Sequence, residues 1–350
     1  MLFSLYPKES RRELFGRDEE LDYIKRQVHA GNWVVVTGQR MIGKTSIVKV
    51  ALNELSSEGF RVMYVNLQGV NSLKALLHLM INEANKGMLF KDIDASVNLT
   101  IGPLGIEVKK GAKPMNTLLE YLLSIRRDTV IALDEVQELA SASPQLLKIM
   151  GNVHSSNPRV RFILTGSYVG LVKTLLEPSP TSPLYGRPPV EVRLRPFTQD
   201  QSKAFLMRGF SELGINFNDY DRVIDKLDGI TGWLTLFGNL HGVRGLPIDD
   251  ALSRVMEDGA KIMVSELNNF LKGRANRRLY LAVLEALKYV DRWIDIKAYV
   301  SYLIKREVDD RALANALTAL IKYNLIEKYG EGKYRLIDPI LKGVKFMDLA

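Results

Sequence analysis

The architecture of this chain follows from one stretch of its sequence, Trp33-Val34-Val35-Val36-Thr37-Gly38-Gln39-Arg40-Met41-Ile42-Gly43-Lys44-Thr45. The β-branched run at its start is typical of a strand that is buried on both faces. The second part matches the pattern G-x-x-x-x-G-K-[ST], which links a strand to a helix in phosphate-binding loops. The sequence therefore predicts a strand, a phosphate-binding loop and a helix in direct succession.

The residue types in this loop suit ATP or ADP together with Mg²⁺. Gly38 and Gly43 allow backbone N–H groups to turn inward around phosphate oxygens. The helix that starts near Lys44 points its positive dipole end at the same anion. We expect Lys44 to reach the β- and γ-phosphates and Thr45 to ligate Mg²⁺. The expected nucleotide-binding residues of this segment are Gly38, Gln39, Arg40, Met41, Ile42, Gly43, Lys44, Thr45 and Ser46.

Strand-like and helix-like patterns alternate through the first half of the chain. The strand patterns are 33–37, 61–65, 129–133 and 160–164, and the helical patterns are 18–29, 44–54 and 72–85. Such alternation predicts an α/β fold, a parallel sheet with helices on both faces. Residues 96–101 and 105–108 alternate in polarity around Gly102-Pro103, which predicts a hairpin insert.

The strand pattern 129–133 is followed by two carboxylates, Asp134 and Glu135. We expect Asp134 to lie beside the phosphate loop and to hold Mg²⁺ through water. Glu135 is then placed to polarise a water molecule that attacks the γ-phosphate. An acidic strand cap is the alternative, but a position about 90 residues after Lys44 favours the catalytic interpretation.

Two further groups of residues are candidates for contact with the γ-phosphate. Thr165 and Ser167 follow the strand pattern 160–164, and a hydroxyl there either senses the phosphate or the attacking water, or caps the next helix. Arg187 lies in a proline-rich loop that can present a guanidinium to a γ-phosphate, in the same chain or in a neighbouring one. Most loop arginines are simply solvated, which is the alternative for Arg187.

The second half of the chain contains mostly helical patterns. A strand-like segment at 190–194 precedes helical patterns from Thr198 to Leu271, and from Arg277 the order is three helices and a hairpin. That order resembles a winged helix-turn-helix. We therefore expect a P-loop ATPase core at 1–195, an all-helical lid at 196–272 and a winged helix domain at 273–350.

The composition excludes several other classes of protein. No apolar run approaches the ~18 residues of a membrane span, and no signal-peptide core precedes Arg12, so we expect a cytoplasmic protein without membrane contact. With no cysteine there is no disulfide or thiolate site, and the four histidines lack metal-ligand spacing. The net charge is +8, and the last 81 residues hold 16 Lys and Arg against 10 Asp and Glu. A basic module of this kind meets nucleic acid or an acidic partner, or is simply a soluble surface.

Several motifs together resemble a known family. They are Leu14-Phe15-Gly16-Arg17-Asp18-Glu19-Glu20-Leu21, the Lys44 loop, the Asp134-Glu135 strand end, Thr165-Gly166-Ser167 and Leu184-Tyr185-Gly186-Arg187. With them the chain resembles the archaeal ATPase family, AAA+ and STAND-like P-loop ATPases with a C-terminal winged helix. The resemblance implies an ATP-binding core, dependence on Mg²⁺ and slow hydrolysis used as a conformational switch.

The resemblance also implies roles for residues outside the loop. It places Phe15, Gly16 and Arg17 near the adenine and favours Arg187 as a γ-phosphate contact. The family usually carries Gly-x-Pro in the lid, where it contacts nucleotide. Here Thr231-Gly232-Trp233-Leu234 has Leu at the proline position, so Gly232 is the residue that is expected to approach the nucleotide and Trp233 is expected to pack in the core.

The helical pattern 310–324 suggests a surface for partners. Its apolar stripe consists of Leu313, Leu317, Leu320 and Ile321, and its opposite face, with the following hairpin, offers Arg311, Asn315, Thr318, Lys322, Lys328, Lys333 and Arg335. That face can contact DNA phosphates and bases. However, Asp309, Asp310 and Ala314 make the helix start poorly suited to DNA, so docking of a protein partner is the alternative.

The sequence is therefore compatible with three functions. We expect an ATP-binding, slowly ATP-hydrolysing and Mg²⁺-dependent switch that couples nucleotide state to the winged helix. The first alternative is an ATP-modulated DNA-binding protein, such as a helicase loader or a transcription regulator. The second is a nucleotide-stabilised scaffold that does not hydrolyse ATP. If Arg187 acts in a neighbouring chain, the protein also forms a homo-oligomer.

Overall fold

The computed structural model of the protein describes residues 1–86, 98–102, 105–166 and 171–349. The chain divides into two compact units. The sheet unit consists of Pro7–Gly38 and Gly43–Leu194, and the helical unit consists of Met1–Tyr6, Gln39–Ile42 and the chain from Arg195 onward. Within the described ranges, no helix combines the length and the apolar character that crossing a membrane requires.

The sheet unit alternates helices and strands in the order that the sequence predicts. Its elements are α1 (Asp18–His29), β1 (Val34–Thr37), α2 (Lys44–Ser57), β2 (Arg61–Asn66), α3 (Leu73–Lys86), β3 (Leu99–Gly102), β4 (Gly105–Val108), α4 (Pro114–Leu123), β5 (Thr129–Asp134), α5 (Ser143–Ser156), β6 (Val160–Thr165), α6 (Leu171–Leu176) and β7 (Val190–Arg193). The expected α/β fold, with a P-loop parallel sheet flanked by helices, is confirmed.

Five strands form the central sheet in the order β2-β5-β6-β1-β7, and every pairing between them is parallel. All residues of β1 and β5 are buried, because helices cover the strands and no residue has a solvent face to occupy. The carboxyl ends of β1, β5 and β6 lie along one edge. This edge therefore carries the residues that follow each of these strands.

A continuous apolar core lies between β5, β6 and helices α3, α4 and α5. Trp33 fixes one end of this core, since its ring meets Phe162 edge-on with centroids 4.8 Å apart. Its indole N–H donates to the Val160 carbonyl at 3.1 Å, so the polar atom of a buried side chain is satisfied. The β3–β4 hairpin is antiparallel and pairs 99–102 with 105–108, where the sequence predicts a hairpin of 96–101 and 105–108. The predicted strand residues Ser96 and Val97 lie outside the described residues.

Within its described residues, the helical unit adds seven α-helices and a two-stranded hairpin to these elements. They are α7 (Gln199–Glu212), α8 (Tyr220–Leu227), α9 (Thr231–Gly238), α10 (Ile248–Leu271), α11 (Arg277–Ala286), α12 (Trp293–Ile304), α13 (Asp310–Lys322), β8 (Ile326–Gly330) and β9 (Lys333–Leu336). A capping box between Thr198 and Gln201 starts α7 by satisfying two backbone N–H groups that the first turn leaves without partners. The order α11, α12, α13 and a β8–β9 hairpin agrees with the sequence expectation.

Helix α13 buries Leu313, Leu317 and Leu320, as its apolar stripe predicts. Ile321 was expected in the same stripe, but it is only half-buried, whereas Ala316 is buried. A helix turns 100° per residue, so Ala316, one turn before Leu320, lies nearer the centre of the buried face than Ile321 does. The predicted opposite face, which includes Arg311, is exposed.

The N-terminal residues are part of the helical unit. Phe3 is completely buried, and its ring meets Phe205 and Phe210 edge-on at 5.8 and 5.0 Å. The ring fits against two glycines, because a Cβ atom at Gly209 or at Gly238 would lie within 2.3 Å of it. The Asn239 side chain also donates to the Phe3 carbonyl at 3.0 Å. A short terminal segment therefore completes a helical core.

Replacing Phe3 by alanine is expected to lower the free energy of unfolding by about 3 kcal/mol. The lost ring leaves a cavity, and the two glycines that line it have no side chains to fill it. Urea unfolding followed by circular dichroism measures this change. Tyr6→Ala serves as a control, since Tyr6 is 84% exposed and should change stability by no more than about 0.5 kcal/mol. Equal effects of the two substitutions would show that Phe3 does not stabilise the fold.

Candidate functional site

The predicted phosphate-binding loop contains backbone conformations that favour glycine. Gly38 and Gly43 have φ angles of 147° and 97°, both positive, and a Cβ atom at Gly43 would meet nothing within 4 Å. Gly43 is therefore required by its backbone conformation rather than by lack of space. Met41 also has a positive φ of 62°, which is uncommon for a residue with a side chain. The loop thus turns through left-handed positions between β1 and α2.

The helix α2 begins at Lys44, as the motif predicts. The Lys44 ammonium crosses the loop and donates to the Gly38 carbonyl at 3.0 Å, and its side chain is buried. The side chains within the loop differ in exposure: Gln39 and Ile42 are buried, whereas Arg40 is exposed. Ser46, one turn into the same helix, accepts a hydrogen bond from the backbone N–H of Lys8 at 3.1 Å.

Asp134, the last residue of β5, accepts hydrogen bonds from three hydroxyl groups. Thr45 Oγ1 and Tyr64 OH donate to Oδ2 at 2.8 and 2.6 Å, and Thr165 Oγ1 donates to Oδ1. The carboxylate is only 2% exposed, so these donors replace the water that it would otherwise bind. Burial, and then the hydrogen bond to Asp134, raise the pKa of Tyr64 well above its usual value, which keeps the phenol protonated as a donor.

The strand order explains how these groups meet. Strand β6 lies between β1 and β5, so Thr165 at the end of β6 stands between the loop and Asp134. Thr165 Oγ1 also accepts from the Glu135 backbone N–H at 3.0 Å. One completely buried hydroxyl therefore connects the two acidic positions. Ser167, predicted beside it, lies outside the described residues.

Glu135 directly follows β5 and has an unusual backbone, with φ at 62°. This left-handed position turns the side chain away from the course of the strand. Its Oε2 accepts a hydrogen bond from the Gln137 side-chain amide. The Glu135 side chain is half-buried, in contrast to the almost completely buried Asp134.

A carboxylate and a hydroxyl that lie next to each other suit Mg²⁺, which takes oxygen ligands and keeps several waters. Asp134 Oδ2 and Thr45 Oγ1 form such a pair at 2.8 Å. The donor set therefore fits the predicted metal.

The predicted adenine-side residues directly precede α1. Gly16 has a φ of 64°, and the Phe15 side chain is half-buried. Arg17 is buried, and its guanidinium pairs with Glu20 at 3.0 Å. Burial is the largest cause that lowers the pKa of Arg17 below its ordinary value. Of the three residues that lead into the helix, Arg17 is therefore the buried one, and an ion pair with Glu20 stabilises its charge.

Arg187 lies away from the phosphate loop within the sheet unit. It precedes β7, and its guanidinium donates to Ser155 Oγ at 3.1 Å near the end of α5. The start of β7 and the end of α5 both lie at the edge of the sheet where the parallel strands begin. A strand rises about 3.3 Å per residue, so the six residues of β6 separate that edge from the loop by roughly 15–20 Å. The geometry does not support contact with a γ-phosphate in the same chain, and contact in a neighbouring chain stays a prediction.

Gly232 approaches the loop within the helical unit. Its backbone N–H, in the first turn of α9, donates to the Met41 carbonyl at 2.7 Å. A Cβ atom at this position would lie 2.6 Å from the Met41 carbonyl oxygen and 2.7 Å from its Cβ. Arg40 also pairs with Glu266 on α10. Trp233 is completely buried, as predicted for a packing residue, and its indole N–H donates to Asp338 at 2.9 Å.

Sequence reasoning missed three groups at this site: Tyr64, Gln137 and Glu266. Tyr64 lies two residues before the end of β2, and only the strand order reveals that β2 pairs with β5. Glu266 is far along the chain in a long helix and carries no sequence signal. Gln137 lies two residues from Glu135, so proximity in sequence is the signal that could have indicated it.

This sheet order, with a glycine loop after β1 and an acid at the end of β5, is the arrangement of a P-loop ATPase. A family model described as an ATPase domain predominantly from Archaea matches residues 14–237. The chain therefore belongs to this family of ATPases. Both the resemblance stated from the motifs and the expected enzyme class are confirmed, and nucleotide binding follows from them.

Solved structures support the same assignment. A Walker-type ATPase of Pyrococcus abyssi is 27% identical, with a TM-score of 0.80 over 98% of this chain and 99% of that one. The ORC2 protein of Aeropyrum pernix, in its ADPNP and ADP complexes, is 17% identical, with a TM-score of 0.65 over 99% and 96% of the two chains. The second likeness shows the fold alone. A comparison with curated proteins finds no match.

Gly232→Ala is expected to weaken ADP binding by about tenfold or more, because the added methyl group would displace the Met41 carbonyl at the turn of the loop. Overpacking of this kind costs about 1–3 kcal/mol. Isothermal calorimetry with ADP measures the change. Gly343→Ala is a matched control, since a Cβ atom there meets nothing within 4 Å. If both variants bind ADP as the unaltered protein does, Gly232 does not influence the loop.

Proposed function

We propose that this protein is an Mg²⁺-dependent switch that binds ATP and hydrolyses it slowly, and that its C-terminal module at 273–350 is a winged helix that reports the nucleotide state. The observation that carries the proposal is the convergence of Lys44, Thr45 and Asp134 at one edge of the sheet. A buried carboxylate bound by hydroxyl donors and placed beside a glycine loop is an arrangement suited to a phosphate-bound metal.

The residues take different roles in this proposal. Lys44 binds the β- and γ-phosphates in place of the Gly38 carbonyl, and Thr45 and Asp134 hold the metal. Bound Mg²⁺ would neutralise negative charge on the phosphate oxygens. Thr165 keeps Asp134 and the backbone of Glu135 in a fixed relation, because one hydroxyl bonds both.

Glu135 is the group that orients the attacking water. Its Oε2 accepts a hydrogen bond from Gln137, which fixes the direction of the carboxylate and leaves Oε1 for the water.

A series of contacts within the helical unit supports coupling to the C-terminal module. The Met41 carbonyl bonds Gly232, the adjacent Trp233 bonds Asp338, and Asp338 Oδ1 accepts from the Ile340 backbone N–H at 2.9 Å. Asp338 lies just after β9 and is 2% exposed, and burial raises its pKa to about 6. A shift of the loop on nucleotide binding would therefore act on a rigid, buried junction next to the hairpin.

Lys44→Ala is expected to abolish ATP binding, because the loop loses the cation that balances the phosphate charge. Glu135→Gln is expected to bind ATP normally and to hydrolyse it at least about a hundredfold more slowly, because the amide cannot act as a base. Calorimetry measures binding, and phosphate release over hours at elevated temperature measures hydrolysis.

Glu138→Gln is the matched control, because it changes an exposed acid in the same turn. Rapid hydrolysis by Glu135→Gln would remove Glu135 from its role. No phosphate release by the unaltered protein, together with tight retention of ADP, would instead identify a nucleotide-stabilised scaffold.

ATP-modulated DNA binding is a second candidate function, favoured by one surface. Arg311, Asn315, Thr318 and Lys322 are all exposed on a single face of α13. Lys328 and Arg335 on the hairpin add positive charge, although Arg335 is paired with Glu327 at 2.5 Å. A positive surface of this size would contact a few phosphates.

The full-length Arg311→Ala/Lys322→Ala variant tests this function. We expect it to bind labelled duplex more weakly, with a salt dependence reduced by about two phosphate contacts. Arg254→Ala/Lys261→Ala removes the same charge from the exposed face of α10 and serves as control. Binding that is absent, or that does not depend on salt, would instead favour a protein partner. Sedimentation with and without ATP then tests whether copies of the chain associate.

A further inference from the structure

Tyr64 is a residue that neither the motif nor the proposed mechanism uses. It lies on β2, which pairs with β5 so that Tyr64 faces Ala132 and Asn66 faces Asp134 across the ladder. Its hydroxyl donates to Asp134 Oδ2 at 2.6 Å, a short distance for a bond between a phenol and a carboxylate. The side chain is half-buried, and the Lys49 ammonium lies 5.4 Å from the centre of its ring. The Tyr64 side chain is therefore held by Asp134 at its hydroxyl group and by Lys49 at a face of its ring.

The three hydroxyl donors of Asp134 are not equivalent. On the proposed function, Thr45 ligates the metal through an oxygen lone pair, while its single proton can stay on Asp134 Oδ2. Thr165 stays on Oδ1, where it also bonds the backbone of Glu135. Tyr64 is the described donor on Oδ2 that does not itself ligate the metal. Without it, this oxygen would lose a donor that fixes its direction independently of the metal.

We propose that Tyr64 is a positioning residue that orients the Asp134 carboxylate and thereby sets the affinity of the nucleotide complex for its divalent metal. The proposal rests on the proposed function of Asp134. A carboxylate that is held by a second donor loses little orientational freedom when it binds the metal hydration shell. Groups that orient a metal ligand in this way typically change metal affinity by about 10–100-fold.

Tyr64→Phe removes only the hydroxyl, so the ring and its packing remain. With the full-length chain and ADP, we expect Mn²⁺ to bind at least about tenfold more weakly, as measured by electron paramagnetic resonance. The Mg²⁺ concentration for half-maximal ATP hydrolysis should rise by a similar factor. Affinity for ADP in EDTA should not change, because the removed hydroxyl donates to Asp134 and not to the phosphate-binding backbone of the loop. Tyr185→Phe, at an exposed tyrosine, is the control.

A double-mutant cycle with Asp134→Asn gives a readout that a structural role would not produce. If Tyr64 acts through the carboxylate, Tyr64→Phe should have no further effect on Mn²⁺ affinity in the Asp134→Asn background. Equal loss of ADP affinity with and without metal, or unchanged Mn²⁺ affinity in Tyr64→Phe, would overturn the proposal. If the unaltered protein binds ADP without any effect of metal, the proposed metal role of Asp134 fails first, which is a distinguishable result.

Discussion

The site depends on a single buried carboxylate and on the hydroxyl groups that hydrogen-bond to it. Asp134 is almost completely withdrawn from water, and an isolated carboxylate in such a place would be costly. Three hydroxyl groups from three different elements offset that cost: Thr45 on α2, Tyr64 on β2 and Thr165 on β6. Because each donor belongs to a separate element, the carboxylate stabilises the mutual positions of those elements as well as its own charge. Chemistry and fold are therefore linked at this point.

The same carboxylate explains why the strand order matters. With β6 between β1 and β5, the loop and the acid follow strands that are two positions apart, and the end of β6 lies between those strand ends. Thr165 occupies that place and is completely buried. Its neighbour Gly166 has the same constraint, since a Cβ atom there would lie 2.5 Å from the Gln137 side chain. Small residues at the end of β6 thus allow the acidic positions and the loop to approach each other.

The sequence predicted the local elements well, because each depends on a pattern that is contiguous in the chain. The β-branched run of β1 and the Gly38–Thr45 motif specify strand, loop and helix without reference to other residues. It did not predict what depends on tertiary placement. Tyr64 meets Asp134 only because β2 pairs with β5, and Arg187 lies at the far edge only because β7 runs parallel to β1. The helical periodicity also predicted that Ile321 is buried, but its position on α13 leaves the side chain only half-buried.

The contacts of Met41 indicate how a signal can leave the loop. The Met41 carbonyl accepts a hydrogen bond from the Gly232 N–H at 2.7 Å, so it cannot move away without breaking that bond. It also cannot move closer, because the space between the two residues is too small even for a methyl group. Trp233, next in the chain, is completely buried and fixed by Asp338, so α9 cannot absorb a shift by local rearrangement. Movement of the loop must then displace the helix as a body or break a buried hydrogen bond. Either response would alter the residues around Asp338, which is what the proposed switch requires.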